Sequence, residues 1–436
     1  SITNGYGAAT FIDYAPLTNA AVYRPDAGSR NTLRYGRGSP VVDLLAPMYV
    51  VAYVDSSAPI FADAAHLSAV FYRYAGAKMQ AGGRGFLGFR QITTFDDNHD
   101  QQYVATTTDY RQDFPFIGTP ATTTRTVVNT AYAPTGCLTD IDSASGNACF
   151  LAPGHPFAPV QGVQISSSTH AWASWPAFSA GVQTPLHVRS AGTEDILRDP
   201  ASGKITSDVG TAFAGYDAFD DVGDTVVDTY SDNGKTLVSE VRTHDTYAND
   251  EAGWRLGRLA TSTVTHTRSG QSIVRKTRFT YDMDSAAETG LLTSEEIQPG
   301  GSADQDRRTV YTLDAYGNRT AATTCSADIA DCGPAVADFH PLASNGGPST
   351  SFQRYTRTAY DGNGRYPVAS YEPFWNGSGA VEVQTQMITA RDALGDVLQA
   401  VDAKGVQTLA VPGAMGRAYY TWTQTVAGAT VGDPTG

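Results

Sequence analysis

Apolar and polar residues alternate with a period of two along much of the chain, as in strands whose side chains point up and down in turn. The clearest run spans Leu259 to Tyr281. There LATSTVTHT alternates, Ser269–Gly270 is a turn signal, and SIVRKTRFTY alternates back, which predicts a β-hairpin. Leu259, Thr261, Thr263, Thr265 and Thr267 share one face of the first arm, and Ile273, Arg275, Thr277, Phe279 and Tyr281 one face of the second. Both faces carry polar groups, which suits a sheet bordering a wet space or a cargo rather than a dry core. Upstream, Leu17–Tyr23, Met48–Val54, Val70–Tyr74, Phe86–Thr94 and Gln102–Thr107 read as strands, and Ala62–Val70 as a short helix. Three textures follow one another. Residues 1–125 mix short strands with Gly and Pro punctuation. Residues 126–215, rich in Ala, Ser, Pro and Thr, read as a loop-rich insertion with short strands. Residues 216–436 are a run of β-hairpins.

Composition agrees with an all-β chain. Of the 436 residues, 43 are Gly and 23 Tyr, and Thr recurs throughout; Gly suits tight turns and β-branched or aromatic residues suit a pleated surface. The net charge of −14 argues against nucleic acid or anionic lipid as a partner. The most apolar stretch, Val41 to Val54, is interrupted by Asp43 and Pro47 and falls short of the roughly 20 residues a spanning helix needs. No membrane insertion by this segment is expected. The chain begins at Ser1 with no leader-type segment, which implies that an original start was removed.

The four cysteines form two local pairs. Cys137 and Cys149 flank IDSASGNA, and Cys325 and Cys332 flank SADIAD. Each brackets a polar loop of small residues, and neither has the CxxC spacing or nearby histidine of a zinc site. Two short-range disulfides are expected, and with them an oxidising compartment, secreted or at the bacterial cell surface. The eight histidines are scattered and show no HExxH or HxH spacing. Asp217, Asp220, Asp221, Asp224 and Asp228 cluster around Gly223, but not in a calcium-loop pattern, so a solvated turn is the better reading. No metal, cofactor or catalytic residue is assigned.

The informative feature is a repeat: an aromatic or apolar residue, then Asp-x-x-Gly. It occurs as Leu313-Asp314-Ala-Tyr-Gly317, as Tyr360-Asp361-Gly-Asn-Gly364, as Arg391-Asp392-Ala-Leu-Gly395 and as Val401-Asp402-Ala-Lys-Gly405. Pro412-Gly413-Ala-Met-Gly416 is a degenerate copy, and Tyr216-Asp217-Ala-Phe-Asp220 and Tyr281-Asp282 are partial ones. The Asp can accept backbone N–H groups two or more residues on, and the Gly supplies positive φ. Each copy is thus a strand–turn–strand device, and several interchangeable aspartates do not make an acid–base pair.

This pattern resembles the Rhs/YD repeat of bacterial Rhs proteins, Tc-toxin B and C components and teneurins. Ile2-Thr-Asn-Gly5-Tyr-Gly7, Tyr72-Arg73-Tyr74-Ala75, Arg84-Gly85-Phe86-Leu87-Gly88-Phe89, Tyr110-Arg-Gln112-Asp-Phe114-Pro115 and Trp254-Arg-Leu256-Gly257-Arg258-Leu259 narrow the resemblance to the Tc-toxin B component. Residues 1–125 are then like the middle region of that component. The resemblance implies a spiralling sheet of β-hairpins, a YD-repeat shell segment forming part of a cocoon around a C-terminal toxic or signalling domain. It implies as partners that cargo domain or a companion shell protein. Shells of this kind can cleave themselves near an Asp-Pro-x-Gly element; Asp433-Pro434-Thr435-Gly436 lacks the flanking pattern and reads as a turn. With few repeats, a segment should leave open sheet edges able to pair with another copy. The contrasting class is an extracellular carbohydrate- or surface-binding module, with Tyr72, Tyr74, Trp172, Trp175, Trp254, Phe374 and Trp375 as stacking platforms; core packing is the plainer role for these rings.

Overall fold

The computed structural model describes residues 1–5, 7–26, 34–36, 39–44, 46–58, 66–98, 102–129, 162–176, 185–231, 236–283, 289–302, 305–326, 329, 332, 353–375, 380–413 and 417–424. Among these the chain is all-β, with strands and turns and no helix. It divides into two compact units. Unit 1 comprises Ser1–Asn4, Ala8–Arg242 and His266–Gln271; unit 2 comprises Gly5–Gly7, Thr243–Thr265 and Ser272–Gly436.

Unit 1 is an antiparallel ladder. Ala9–Pro16 pairs with Tyr49–Ser57, which pairs with Leu67–Ala75, and that strand with Gln91–Asn98. Gln102–Tyr110, Pro120–Asn129, Val163–Trp175, His187–Arg198, Ile205–Ala214 and Asp224–Tyr230 continue it in sequence order. A four-stranded sheet of Arg34–Gly36, Ser39–Asp43, Lys78–Gln80 and Gly85–Phe86 lies in the same unit. The core is local: Ala15, Leu17, Ala21, Val22, Tyr23, Ala52, Tyr74 and Ala77, with Phe71 and Phe89 packed against them. Further along the ladder a second, smaller cluster of Phe95, Ala105 and Val128 is buried, and cross-strand threonine pairs such as Thr93–Thr107 at 3.1 Å and Thr108–Thr123 at 3.2 Å join the strands.

Several sequence expectations change here. Leu17–Tyr23 is largely turn rather than strand: Asn19 N–H donates to the Pro16 carbonyl and Ala21 N–H to the Asn19 side chain. Its apolar run plugs the core, with Leu17 and Val22 each 1% exposed. The proposed helix at Ala62–Val70 gives way, from Leu67 on, to the strand Leu67–Ala75. That segment has a strand partner on each side, and cross-strand pairing outweighs local propensity. Phe86–Thr94 is two strands, Gly85–Phe86 and Gln91–Asn98, interrupted at the left-handed Gly88. The described part of 126–215 holds strands of 13, 12 and 10 residues, not short ones. Its Ser and Thr runs pair across strands, which a search for apolar alternation overlooks.

Unit 2 is a meander in which Leu292–Ile297, Arg307–Leu313, Arg319–Ser326, Gln353–Tyr360, Pro367–Trp375, Ala380–Arg391, Val397–Asp402, Gln407–Pro412 and Ala418–Gln424 each pair antiparallel with the next. Gln271–Tyr281 pairs with Leu292–Ile297 at its start. The turn before Gln271 has Ser269 at φ 52° and Gly270 at φ 77°, as the two-residue hairpin signal requires.

Candidate functional site

In an antiparallel meander alternate turns fall on the same edge. The turns at Asp314, Asp361 and Asp392 therefore line one edge of unit 2, and the turn at Asp402 lies on the other. Each is built alike. The Asp314 carboxylate accepts from Tyr316 N–H and Asn318 N–H, both at 2.9 Å. Asp361 accepts from Arg365 and Tyr366, Asp392 from Leu394 and Asp396, and Asp402 from Lys404 and Val406, all through backbone N–H groups. Gly317, Gly364, Gly395 and Gly405 donate to the carbonyl of their own Asp and stand at positive φ. Tyr360 closes the strand before Asp361, where the register slips by one residue.

At two of these turns the hydrogen bonds favour the charged carboxylate. At Asp361 the Tyr366 and Arg365 N–H groups lower the pKa. At Asp314 burial would raise it, and the bonds from Asn318, Tyr316 and Gly317 outweigh that. Such aspartates are turn clamps, without the raised pKa of a general acid.

Neighbouring turns on this edge interlock. Asn318 Nδ2 donates to the Gly364 carbonyl at 2.7 Å. A Cβ on Gly364 would overlap the Tyr316 ring, and one on Gly395 would lie 2.7 Å from the Tyr366 ring. Arg391 donates to the Gly395 and Pro367 carbonyls at 2.7 and 2.9 Å, with its guanidinium over the Tyr366 ring. Each of these two glycines thus provides both a left-handed bend and the seat for an aromatic ring of the turn before it.

The partial copies are instructive. Asp217 accepts from Phe219 and Asp221 N–H groups as a full copy does, and Asp220 stands at φ 70° where the pattern has glycine. Its carboxylate is held by His187 at 2.7 Å and by Arg189. Asp282 closes a wider turn, through Thr289 and Gly290. Asp199 was missed by the sequence reading because its glycine, Gly203, comes one residue late; it accepts from Ser202 N–H at 2.7 Å.

Cys325 and Cys332 form a disulfide, with Cα atoms 5.8 Å apart. Cys325 is fully buried beside Thr323 and Ser326. Cys137 and Cys149 lie outside the described residues. Non-reducing peptide mapping is expected to recover Cys325 and Cys332 in one linked peptide; two free thiols would remove this covalent tie.

The aromatic candidates are dispersed. Tyr72 and Tyr74 stack with ring centres 6.4 Å apart in the core of unit 1, and Trp172 donates to the Pro120 carbonyl. Trp175, Trp254 and Phe374 are exposed; the Trp375 side chain lies outside the described residues. No group of three acidic, histidine or cysteine side chains among the described residues is placed to hold a metal ion. No described helix is long and apolar enough to cross a membrane.

No family model matches the chain, and no curated protein does. Solved structures similar to it are crystal structures of TcdB2-TccC3: with Cdc42 at TM-score 0.48, as TcdB2-TccC3-TEV at 0.47, and as TcdB2-TccC3 at 0.48, each 9% identical. Each match covers 96% of this chain and 24% of the other, so the chain spans about a quarter of their length.

Proposed function

We propose that the chain is a non-catalytic structural segment of a secreted bacterial protein of the Rhs/Tc-toxin type, a stretch of β-shell that encloses or presents a toxin or effector cargo. The observation that supports this is the construction of unit 2. Its buried side chains among the described residues are Asp306, Ala321, Thr323, Cys325, Ser326, Tyr355 and Ala369, so Tyr355 is the one large ring. Along Ser272–Lys276 both faces of the strand are exposed. A sheet with few buried rings, open on both faces along that stretch and held by interlocked turns and cross-strand pairs, suits a wall between two aqueous spaces.

The test is protection of a neighbour. The chain is produced together with the polypeptide that adjoins it in its gene, and limited proteolysis is applied. The adjoining polypeptide should resist cleavage beside the intact wall and be digested when the turn ladder is disrupted at Gly364. Equal cleavage in both cases overturns the casing role.

A second reading, an extracellular carbohydrate- or surface-binding module, draws on Trp175, which is 62% exposed and stands opposite His187 near the Arg189–Asp220 pair. Glycan-array binding that disappears in Trp175→Ala would favour it.

A further inference from the structure

In unit 2 the strand that ends at Tyr281 is only partly covered along one side. Leu292–Ile297 pairs with Thr277–Tyr281 and stops there. At Gln298 the backbone turns left-handed, φ 55°, and the chain departs, the Gln298 carbonyl taking the Gly301 N–H. The Gln298 N–H still donates to the Lys276 carbonyl at 2.7 Å. From here its side chain continues the ladder alone. Gln298 Oε1 accepts from the Lys276 N–H at 2.8 Å, and Nε2 donates to the Val274 carbonyl at 3.1 Å. The next peptide groups of a paired strand would make those two bonds. One side-chain amide thus stands in for a strand that has turned away, and it shows that this edge takes a peptide group in ladder geometry.

The N–H and C=O of one residue point to the same side of a strand. The Val274 N–H therefore faces the same edge as its carbonyl, one step beyond the reach of Gln298. Among the described residues no strand covers Ser272–Lys276 on that side. The flanking side chains are exposed on both faces, with Ile273 at 64% and Val274 at 42%, followed by Arg275 and Lys276.

Charge sets the character of the edge. Residues 252–281 contain six Arg or Lys and no Asp or Glu, in a chain whose net charge is −14. Arg278 is paired with Glu296, whereas Arg275 and Lys276 have no ion-pair partner among the described residues. Neighbouring residues point to opposite faces, so an incoming strand would meet a cation on each side of its backbone. Cations on an edge deter pairing with a like edge, and opposite charges placed across from them become cross-strand contacts. In strand addition the main-chain bonds supply affinity and the flanking side chains supply selectivity.

We propose that the Ser272–Lys276 edge binds an extended acidic segment of a partner polypeptide by strand addition, and that the Gln298 amide is its internal stand-in. The site does not depend on the casing role, and its failure would leave that role standing.

The test is fluorescence anisotropy with a labelled peptide of alternating threonine and glutamate. Its controls are a lysine-for-glutamate counterpart and a peptide of equal charge with proline in place of threonine, which cannot join a ladder. The threonine–glutamate peptide should bind and weaken with salt. The proline peptide should bind at least about tenfold more weakly, because the ladder bonds are lost. The Arg275→Gln/Lys276→Gln double variant should lose a similar factor. Val274→Pro should also do so while melting close to the parent, since proline is tolerated where an edge N–H faces solvent. Val274→Thr keeps that N–H and should bind as the parent does. Gln298→Ala should bind several-fold more tightly, because the internal competitor is gone. Equal binding of the lysine or proline peptide, unchanged binding in Val274→Pro, or weaker binding in Gln298→Ala overturns the proposal. So does a parent chain that self-associates in sedimentation and is not dispersed by the peptide, which would make a second copy the occupant.

Discussion

Gly364→Val is expected to destabilise unit 2 by about 2–4 kcal/mol, the sum of forcing a β-branched residue into left-handed backbone and displacing a seated ring. Gly364 stands at φ 64°, and the position of its Cβ is occupied by the Tyr316 ring. Tyr316 is 68% exposed, so the ring can swing into solvent, but the backbone term remains. The double variant Tyr316→Ala/Gly364→Val separates the two: it should recover the steric part only. Gly362 is two residues away in the same turn, with open space around its Cβ and no positive φ. Gly362→Val should change stability by less than about 0.5 kcal/mol. Urea unfolding monitored by tyrosine and tryptophan fluorescence measures all three. Equal effects at 362 and 364 would show that Gly364 is not a seat.

The second large effect is expected at Asp26 in unit 1. Its carboxylate meets Arg90 at 2.8 Å and Lys78 at 3.0 Å and is 18% exposed. Burial would raise its pKa, and the bonds from Arg90 and Lys78 outweigh that, so it is held below the ordinary carboxylate value. Asp26→Ala leaves Lys78, 16% exposed, with Asp43 at 3.8 Å as its remaining carboxylate. Removing one partner of a largely buried pair costs about 3–5 kcal/mol; solvent access brings the expectation here to roughly 2–3 kcal/mol.

The sign with pH follows. A depressed folded-state pKa stabilises above the unfolded value, near 3.9, and that stability is lost as pH falls through the folded value. The parent should therefore lose stability relative to Asp26→Ala below about pH 4, and the two curves should run parallel above it. A constant gap down to the most acid pH would remove Asp26 from this role. Gly76→Ala approaches the same cluster from the other side. Gly76 has φ 61°, and its added methyl would lie 2.6 Å from Asp26 Oδ1, dislodging the carboxylate from its partners.

Much of this protein was legible in the order of its residues because the governing interactions are short-range. The all-β character follows from alternation and from Gly-, Thr- and Tyr-rich composition. The turns at Asp314, Asp361, Asp392 and Asp402 follow from Asp-x-x-Gly, since clamp, acceptor and left-handed glycine all lie within six residues. Ser269–Gly270 marked its hairpin turn for the same reason. Where the clamp persisted without glycine, as at Asp217, the pattern still pointed to a turn, although nothing local told that Asp220 would be held by His187 and Arg189 more than thirty positions away in the chain.

What the tertiary structure alone decided depends on register. Leu17–Tyr23 reads as a strand because apolar residues suit strands, but packing against Tyr74 and Ala77 makes most of it a buried turn. That Gly364 seats Tyr316, or that Gln298 meets Lys276, depends on which residues of neighbouring strands stand opposite. Irregularities such as the slip between Leu197 and Arg198 shift that correspondence by a residue. A one-residue shift exchanges the faces of a strand, so partners far apart in sequence are set by the whole ladder of hydrogen bonds and not by the local pattern of side chains.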